Sequence, residues 1–190
     1  MREVIGAALR EAARLAHLSA NEPAVLESLG RTALRIHACF ASEGKILTCG
    51  NGGSMADAMH FAEEWSGRFR DDRPPYPALA LSDPTHMSCV GNDYGFEHIF
   101  ARQVLGLGKT GDLLLVLSTS GNSRNLILAA EAAKSKGVAV IGFLGKGGGE
   151  LLAMCDEAIV APGETSDRIQ ELHMLWLHAL IEAVEKELGH

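Results

Sequence analysis

The chain has 190 residues, a formal net charge of −7 from 17 basic and 24 acidic side chains, and 47% hydrophobic residues. This is the length of one domain or a modestly extended one, with enough apolar material for a buried core, which excludes a disordered chain. The acidic balance lacks the electrostatic footprint of a nucleic-acid binder, no apolar run approaches the roughly 18 residues of a membrane span, and Met1-Arg2-Glu3 opens no signal segment.

Two helices are expected first. Val4, Ala7, Ala8 and Leu15 mark one that ends near Ser19-Ala20-Asn21; Leu26, Leu29, Ala33, Ile36 and Phe40 mark a second, running from Pro23 to a stop at Gly44. Short apolar runs follow at Lys45–Cys49, Ala78–Leu81, Leu113–Leu117, Val138–Phe143 and Ala158–Val160, each of a length that suits a buried parallel strand. Helical stretches separate them at about 55–68, 84–105 and 123–136, and a last helix covers about 166–187. Strand alternating with helix predicts an α/β three-layer sandwich with a five-stranded parallel sheet, preceded by an N-terminal helical extension. With no linker or repeat, residues 1–190 read as a single domain in which 1–44 contribute to packing and oligomerisation. Cys39, Cys49, Cys89 and Cys155 are widely spaced, as buried thiols of a reducing compartment would be, so the protein is expected to be soluble and cytoplasmic.

Ligands of open parallel sheets bind beyond the carboxyl ends of the strands. Two turns there are rich in glycine and hydroxyls: Gly50-Asn51-Gly52-Gly53-Ser54 and Ser118-Thr119-Ser120-Gly121-Asn122-Ser123. Glycine admits an anion close to the backbone, and the following helix N-terminus favours negative charge, so the pair suits a phosphate monoester. Taken singly, each could be an ordinary turn with serine as helix cap. The first is not a dinucleotide fingerprint, because Met55 stands where the third glycine belongs. Gly108-Lys109-Thr110 is not a P-loop, because Gln103 replaces the leading glycine and a strand follows it. The turn Gly145-Lys146-Gly147-Gly148-Gly149 can be read as structural or as ligand-facing.

His60 and Glu64 lie four apart, on one face of the helix that leaves the first glycine turn. Such a pair can ligate a divalent metal, act as acid and base, or simply face solvent. On the last helix, His173 reads as a core or interface histidine. Gln170 and His178 are eight residues apart, about 12 Å of rise with directions differing by roughly 80°. They meet at one ion only with extended side chains, or else serve sites completed by different subunits. Leu172, Trp176 and Ile181 add more apolar surface to this helix than a monomer of this size need bury, which points to a subunit interface.

The strings Cys49-Gly50-Asn51-Gly52-Gly53-Ser54, Asp57 with Ala58-Met59-His60-Phe61-Ala62-Glu63-Glu64, and Ser66-Gly67-Arg68-Phe69 resemble the phosphoheptose isomerases of the sugar-isomerase (SIS) domain family. So do Gly91-Asn92-Asp93-Tyr94-Gly95, Ser118-Thr119-Ser120-Gly121-Asn122-Ser123 and Arg168-Ile169-Gln170-Glu171. The resemblance runs over nearly the whole chain. It implies an SIS fold and an aldose–ketose isomerase that converts sedoheptulose 7-phosphate to D-glycero-D-manno-heptose 7-phosphate, the first step toward nucleotide-activated heptose for bacterial surface polysaccharide. It also implies a cytoplasmic homotetramer with active sites at subunit interfaces. Substrate contacts are implied at Asn51, Gly52, Gly53, Ser54, Glu64, Asn92, Asp93, Ser118, Thr119, Ser120, Ser123 and Gln170. Zinc, one ion per subunit, is implied at His60, Glu64, Gln170 and His178, with Glu64 and His178 leading for proton transfer. Relatives of this fold also include non-catalytic partners of the replication initiator, expected to lack that acid/base pair, and isomerases of other sugar phosphates.

Overall fold

The computed structural model describes residues 1–190. Helices α1 (Arg2–Ala20) and α2 (Pro23–Ala41) come first. The sandwich then runs β1 (Ile46–Gly50), α3 (Gly53–Ser66), β2 (Ala78–Ala80), α4 (Pro84–Asp93), α5 (Ala101–Leu107), β3 (Leu113–Ser118), α6 (Arg124–Ser135), β4 (Ala139–Gly145), β5 (Glu157–Ala161) and α7 (Ser166–Leu188). The sheet order is β2-β1-β3-β4-β5 with every pairing parallel. Side chains alternate across the sheet, so Leu113, Leu115 and Leu117 enter the core shared with α1, α2, α3 and α7. Leu114 and Val116 enter the core under α4, α5 and α6. Because both faces are covered, the strands read as unbroken apolar runs.

Three expectations are corrected. The four cysteines are not all buried: Cys39 and Cys49 are, whereas Cys89 is exposed and Cys155 half-buried. Residues 84–105 do not form one helix: α4 stops at Asp93, a short 3-10 turn occupies Phe96–His98, and α5 starts at Ala101. The break falls at Gly95, whose φ of +97° is outside the helical region and open chiefly to glycine. The three apolar residues of α7 read as surplus are also not left for a partner. Leu172, Trp176 and Ile181 are buried within the protomer, in the core shared with α1 and α2, and Trp176 Nε1 donates to Ser19 Oγ of α1 at 2.6 Å. Exposed apolar side chains include Val4, Ile5, Leu9, Leu26 and Leu34 on the first two helices, Leu175 on α7, and others at Phe96 and Leu105.

His173 is a core histidine. It is wholly buried, its Nε2 donates to the Leu144 carbonyl at 3.1 Å, and burial pushes its pKa down to about 4. The unfolded chain protonates this ring near pH 6.5 while the folded chain resists until about pH 4. The neutral ring's contribution is therefore complete above about pH 6.5 and is lost as pH falls toward 4, a difference of about 3 kcal/mol. His173→Leu is expected to lose less stability than the parent between pH 7 and 4.5 in urea titrations; equal losses would contradict this account.

Candidate active site

In the order β2-β1-β3-β4-β5, the direction of winding reverses between β1 and β3, and a crevice opens beyond the carboxyl ends of those two strands. A cavity of about 330 Å³ lies there. Asn51, Gly52, Gly53 and Ser54 form its wall after β1, and Ser118, Thr119 and Ser123 its wall after β3. The third wall is the start of α7, which contributes Ser166 and Gln170. Thr119 Oγ1 lies 3.1 Å from Ser166 Oγ and ties two of these walls together.

Three helices, α3, α6 and α7, begin at this cavity, and none has a side chain capping its N-terminus. The first-turn N–H groups of a helix have no intrahelical acceptor, and with the helix dipole they favour an anion. No Lys or Arg lines the cavity. What it offers an anion is therefore backbone and hydroxyl donors.

The turn Gly145-Lys146-Gly147-Gly148-Gly149 braces the neighbouring loop instead of facing the ligand. Gly121, at φ +66°, sits so close that a Cβ would lie 1.8 Å from the Gly148 carbonyl oxygen. The Leu151 N–H donates to the Gly121 carbonyl at 3.0 Å, and the Glu150 N–H to Asn122 Oδ1 at 3.0 Å. Within the loop, Ser118 Oγ accepts from the Gly121 N–H at 3.0 Å. Ser120 Oγ accepts from the Asn122 N–H at 3.2 Å and is not part of the cavity wall. Asn92 and Asp93 do not line it either. They are exposed at the end of α4, with Asn92 Nδ2 donating to Asp93 Oδ1 at 2.8 Å.

α3 and α7 pack side by side and run in the same direction. Near their starts, Gln170 lies against Gly53 and its Nε2 donates to Ser54 Oγ at 3.3 Å. Two turns further, His60 and His178 meet edge to face with ring centroids 5.1 Å apart. His60 Nε2 is 3.0 Å from Glu64 Oε1, and Phe69 stacks on the His178 ring. One ligand atom each from His60, Glu64 and His178 lie within 4.8 Å of one another. Two imidazoles and a carboxylate are the donor set of an open catalytic zinc site, so these residues fit such a cation. One turn before His60, burial pushes the Asp57 carboxyl up to about 6, partly opposed by His60. Thus His60, Glu64 and His178 come together in one chain, while Gln170 belongs to the cavity wall.

The sequence model of the SIS domain matches residues 11–145. The phosphoheptose isomerase of Pectobacterium atrosepticum is 47% identical over 98% of this chain and 97% of its own. That of Fusobacterium nucleatum is 52% identical over 82% of this chain and 80% of its own. The structure of phosphoheptose isomerase GmhA from Neisseria gonorrhoeae superposes with a TM-score of 0.91 at 38% identity, covering 97% of this chain and 98% of that one. The chain belongs to the SIS-domain family, among its phosphoheptose isomerases.

Sequence reasoning missed Ser166 and Asn125. For Ser166 the signal was present, since Gly163-Glu164-Thr165-Ser166 is a third glycine and hydroxyl turn between a strand and a helix. Asn125, inside α6 and buried, carried none. The glycine clamp is directly testable. Gly121→Ala should cost about 3 kcal/mol or more, since it adds a backbone collision to an unfavourable φ, whereas Gly147→Ala, with positive φ but open space, should cost about 1–2. Similar urea midpoints for the two variants would remove the clamp's significance.

Proposed function

We propose that this phosphoheptose-isomerase family member converts sedoheptulose 7-phosphate to D-glycero-D-manno-heptose 7-phosphate. The observation that carries the reading is the spacing along the α3/α7 pair. From Gly53 to His60, and from Gln170 to His178, each helix rises about 10–12 Å. An extended chain covers roughly 3.3–3.6 Å for every three bonds, so C1 to phosphorus spans about 9–10 Å in a heptose 7-phosphate and about 7 Å in a pentose 5-phosphate. With phosphate in the uncapped cavity, a seven-carbon chain comes close to that span and brings its C1–C2 end toward Glu64 and His178, whereas a pentose ends about 2–3 Å shorter.

Aldose–ketose isomerisation moves one proton between C1 and C2 and another between their oxygens, through an enediol. Glu64 serves as base at carbon. Its Oε1 is engaged by His60, which leaves the other oxygen for the proton. His178 serves as acid at the substrate oxygen, its ring held by Phe69. Gly52, Gly53, Ser54, Ser118, Thr119 and Ser123 hold the phosphate, with Gln170 and Ser166 closing the wall. A zinc ion held by His60, Glu64 and His178, with Gln170 as the further ligand the family suggests, would supply Lewis acidity at the carbonyl oxygen.

The same reading makes the protein a cytoplasmic homotetramer acting toward nucleotide-activated heptose for surface polysaccharide, and one SIS domain whose first 44 residues serve packing and assembly. No helix is long and apolar enough to cross a membrane, and the exposed apolar positions of α1 and α2 suit burial against further subunits. Exposed Asn92 and Asp93 would then reach substrate across a subunit boundary, and Ser120 would act by shaping its loop.

Sedoheptulose 7-phosphate incubated with the purified protein and followed by NMR should yield the aldose, with a lower kcat/KM for a pentulose 5-phosphate. A chelator should abolish conversion and added zinc restore it. Glu64→Gln should lower kcat by about 10²–10⁴-fold with the oligomer intact. Full activity in that variant would remove Glu64 from the chemistry, and a metal-free, fully active preparation would remove the ion.

A further inference from the structure

The loops that wall the cavity leave the sheet before they enclose it. The ladder between β1 and β3 ends at the pair Gly50–Leu117, and beyond it no strand pairing sets the distance between the start of α3 and the start of α6. One side-chain pair spans that gap. Asn51 Nδ2 donates to Asn125 Oδ1 at 2.9 Å, and Asn125 Nδ2 donates back to Asn51 Oδ1 at 2.8 Å. Asn51 is the first residue after β1, and Asn125 is the second residue of α6 and 4% exposed.

The residue type suits the task. A carboxamide is a neutral group that donates and accepts at once, so two of them close a reciprocal ring. A carboxylate at either position could not return a hydrogen bond and would place negative charge beside an anion site. A cation would offer no acceptor. The ring therefore holds two helix N-termini at a fixed separation without altering the charge of a cavity that works by helix dipoles and hydroxyl donors.

We infer that Asn125 is a positioning residue for the phosphate site: through its reciprocal pair with Asn51 it sets the spacing of the α3 and α6 N-termini. This rests on the cavity being the phosphate site of the isomerase proposed above. It goes beyond that reading because it assigns a role to a residue outside the cavity wall.

The test is a double-mutant cycle with Asn51→Ala, Asn125→Ala and both together. Inorganic phosphate is titrated by calorimetry, and turnover of sedoheptulose 7-phosphate is measured in parallel. Asn125→Ala should raise the phosphate Kd and the KM about tenfold, the scale of one or two lost buried hydrogen bonds, while kcat changes less than about twofold. Mere loss of folded protein would instead lower apparent kcat and leave KM alone. The double variant should be no worse than Asn51→Ala alone. An unchanged phosphate Kd and KM in Asn125→Ala overturns the inference, as do additive effects, which would mean that the Asn51 amide binds ligand independently. Should Asn125→Ala fold poorly, the neutral Asn125→Ser serves in its place: its short hydroxyl cannot close the reciprocal ring, and it should still raise Kd about tenfold. A parent protein that binds phosphate but does not turn over the heptulose would overturn the proposed reaction and leave this inference standing on the Kd values.

Discussion

The parallel packing of α3 against α7 is the constraint on which the site depends. Contacts between Gly53 and Gln170 at the start, and between His60 and His178 two turns later, fix one register for both helices. The pair is secured at its far end by Arg73, whose side chain is 1% exposed. Its guanidinium donates to the Glu64 carbonyl at 2.7 Å, the Trp65 carbonyl at 3.0 Å and Glu185 Oε1 of α7 at 2.6 Å. The last carbonyls of a helix lack intrahelical donors, so one buried cation satisfies the end of α3 and joins it to α7. Replacing such a buried ion pair by apolar residues can be neutral for stability, so its value here is specificity of register. A slip of one residue along either helix would turn His60 away from His178 by about 100°.

Electrostatics at the other end follow from a different economy of means. The chain carries a net charge of −7 and offers no lysine or arginine to the cavity. Three uncapped helix N-termini supply the attraction instead, and such fixed dipoles are oriented before the ligand arrives, so little side-chain entropy is lost on binding. The glycines serve the same end. Gly121 lets one loop lie directly on the Gly148 backbone, so the donors of the loop between Ser118 and Ser123 are held by main-chain contacts instead of by long, mobile side chains.

Much of this was legible in the sequence, and what was not has specific causes. The strands are expected within two residues of where they lie, because a sheet buried on both faces writes itself as apolar runs between glycine turns. The two ligand loops are legible for the same reason: they sit where the pattern changes from strand to helix. The break at Gly95 was hidden because apolar residues keep helical spacing through residues 84–105, and a single positive φ overrode that pattern. The surplus apolar surface on α7 was misassigned because periodicity says that a face is buried but not by what. Here α1 and α2 of the same protomer cover it. Asn125 was invisible for a more general reason: a polar residue inside an apolar helix declares its partner only in three dimensions.

The division between the two ends of α3/α7 also accounts for what the fold alone leaves open. A cavity of helix N-termini and hydroxyls suits a phosphate monoester and is indifferent to the rest of a sugar, so by itself it is equally consistent with a binding module. His60, Glu64 and His178 have no part in that recognition. They lie two turns away, on the same two helices, with donor atoms within 4.8 Å of one another. Three polar side chains gathered at that distance do nothing for a phosphate, and their convergence is hard to explain as packing, since Glu64 and His60 remain partly open to solvent. A scaffold that only bound sugar phosphate would have no use for them. A substrate long enough to reach from one end to the other does, and this makes the isomerase reading depend on geometry within the chain as well as on likeness to its relatives.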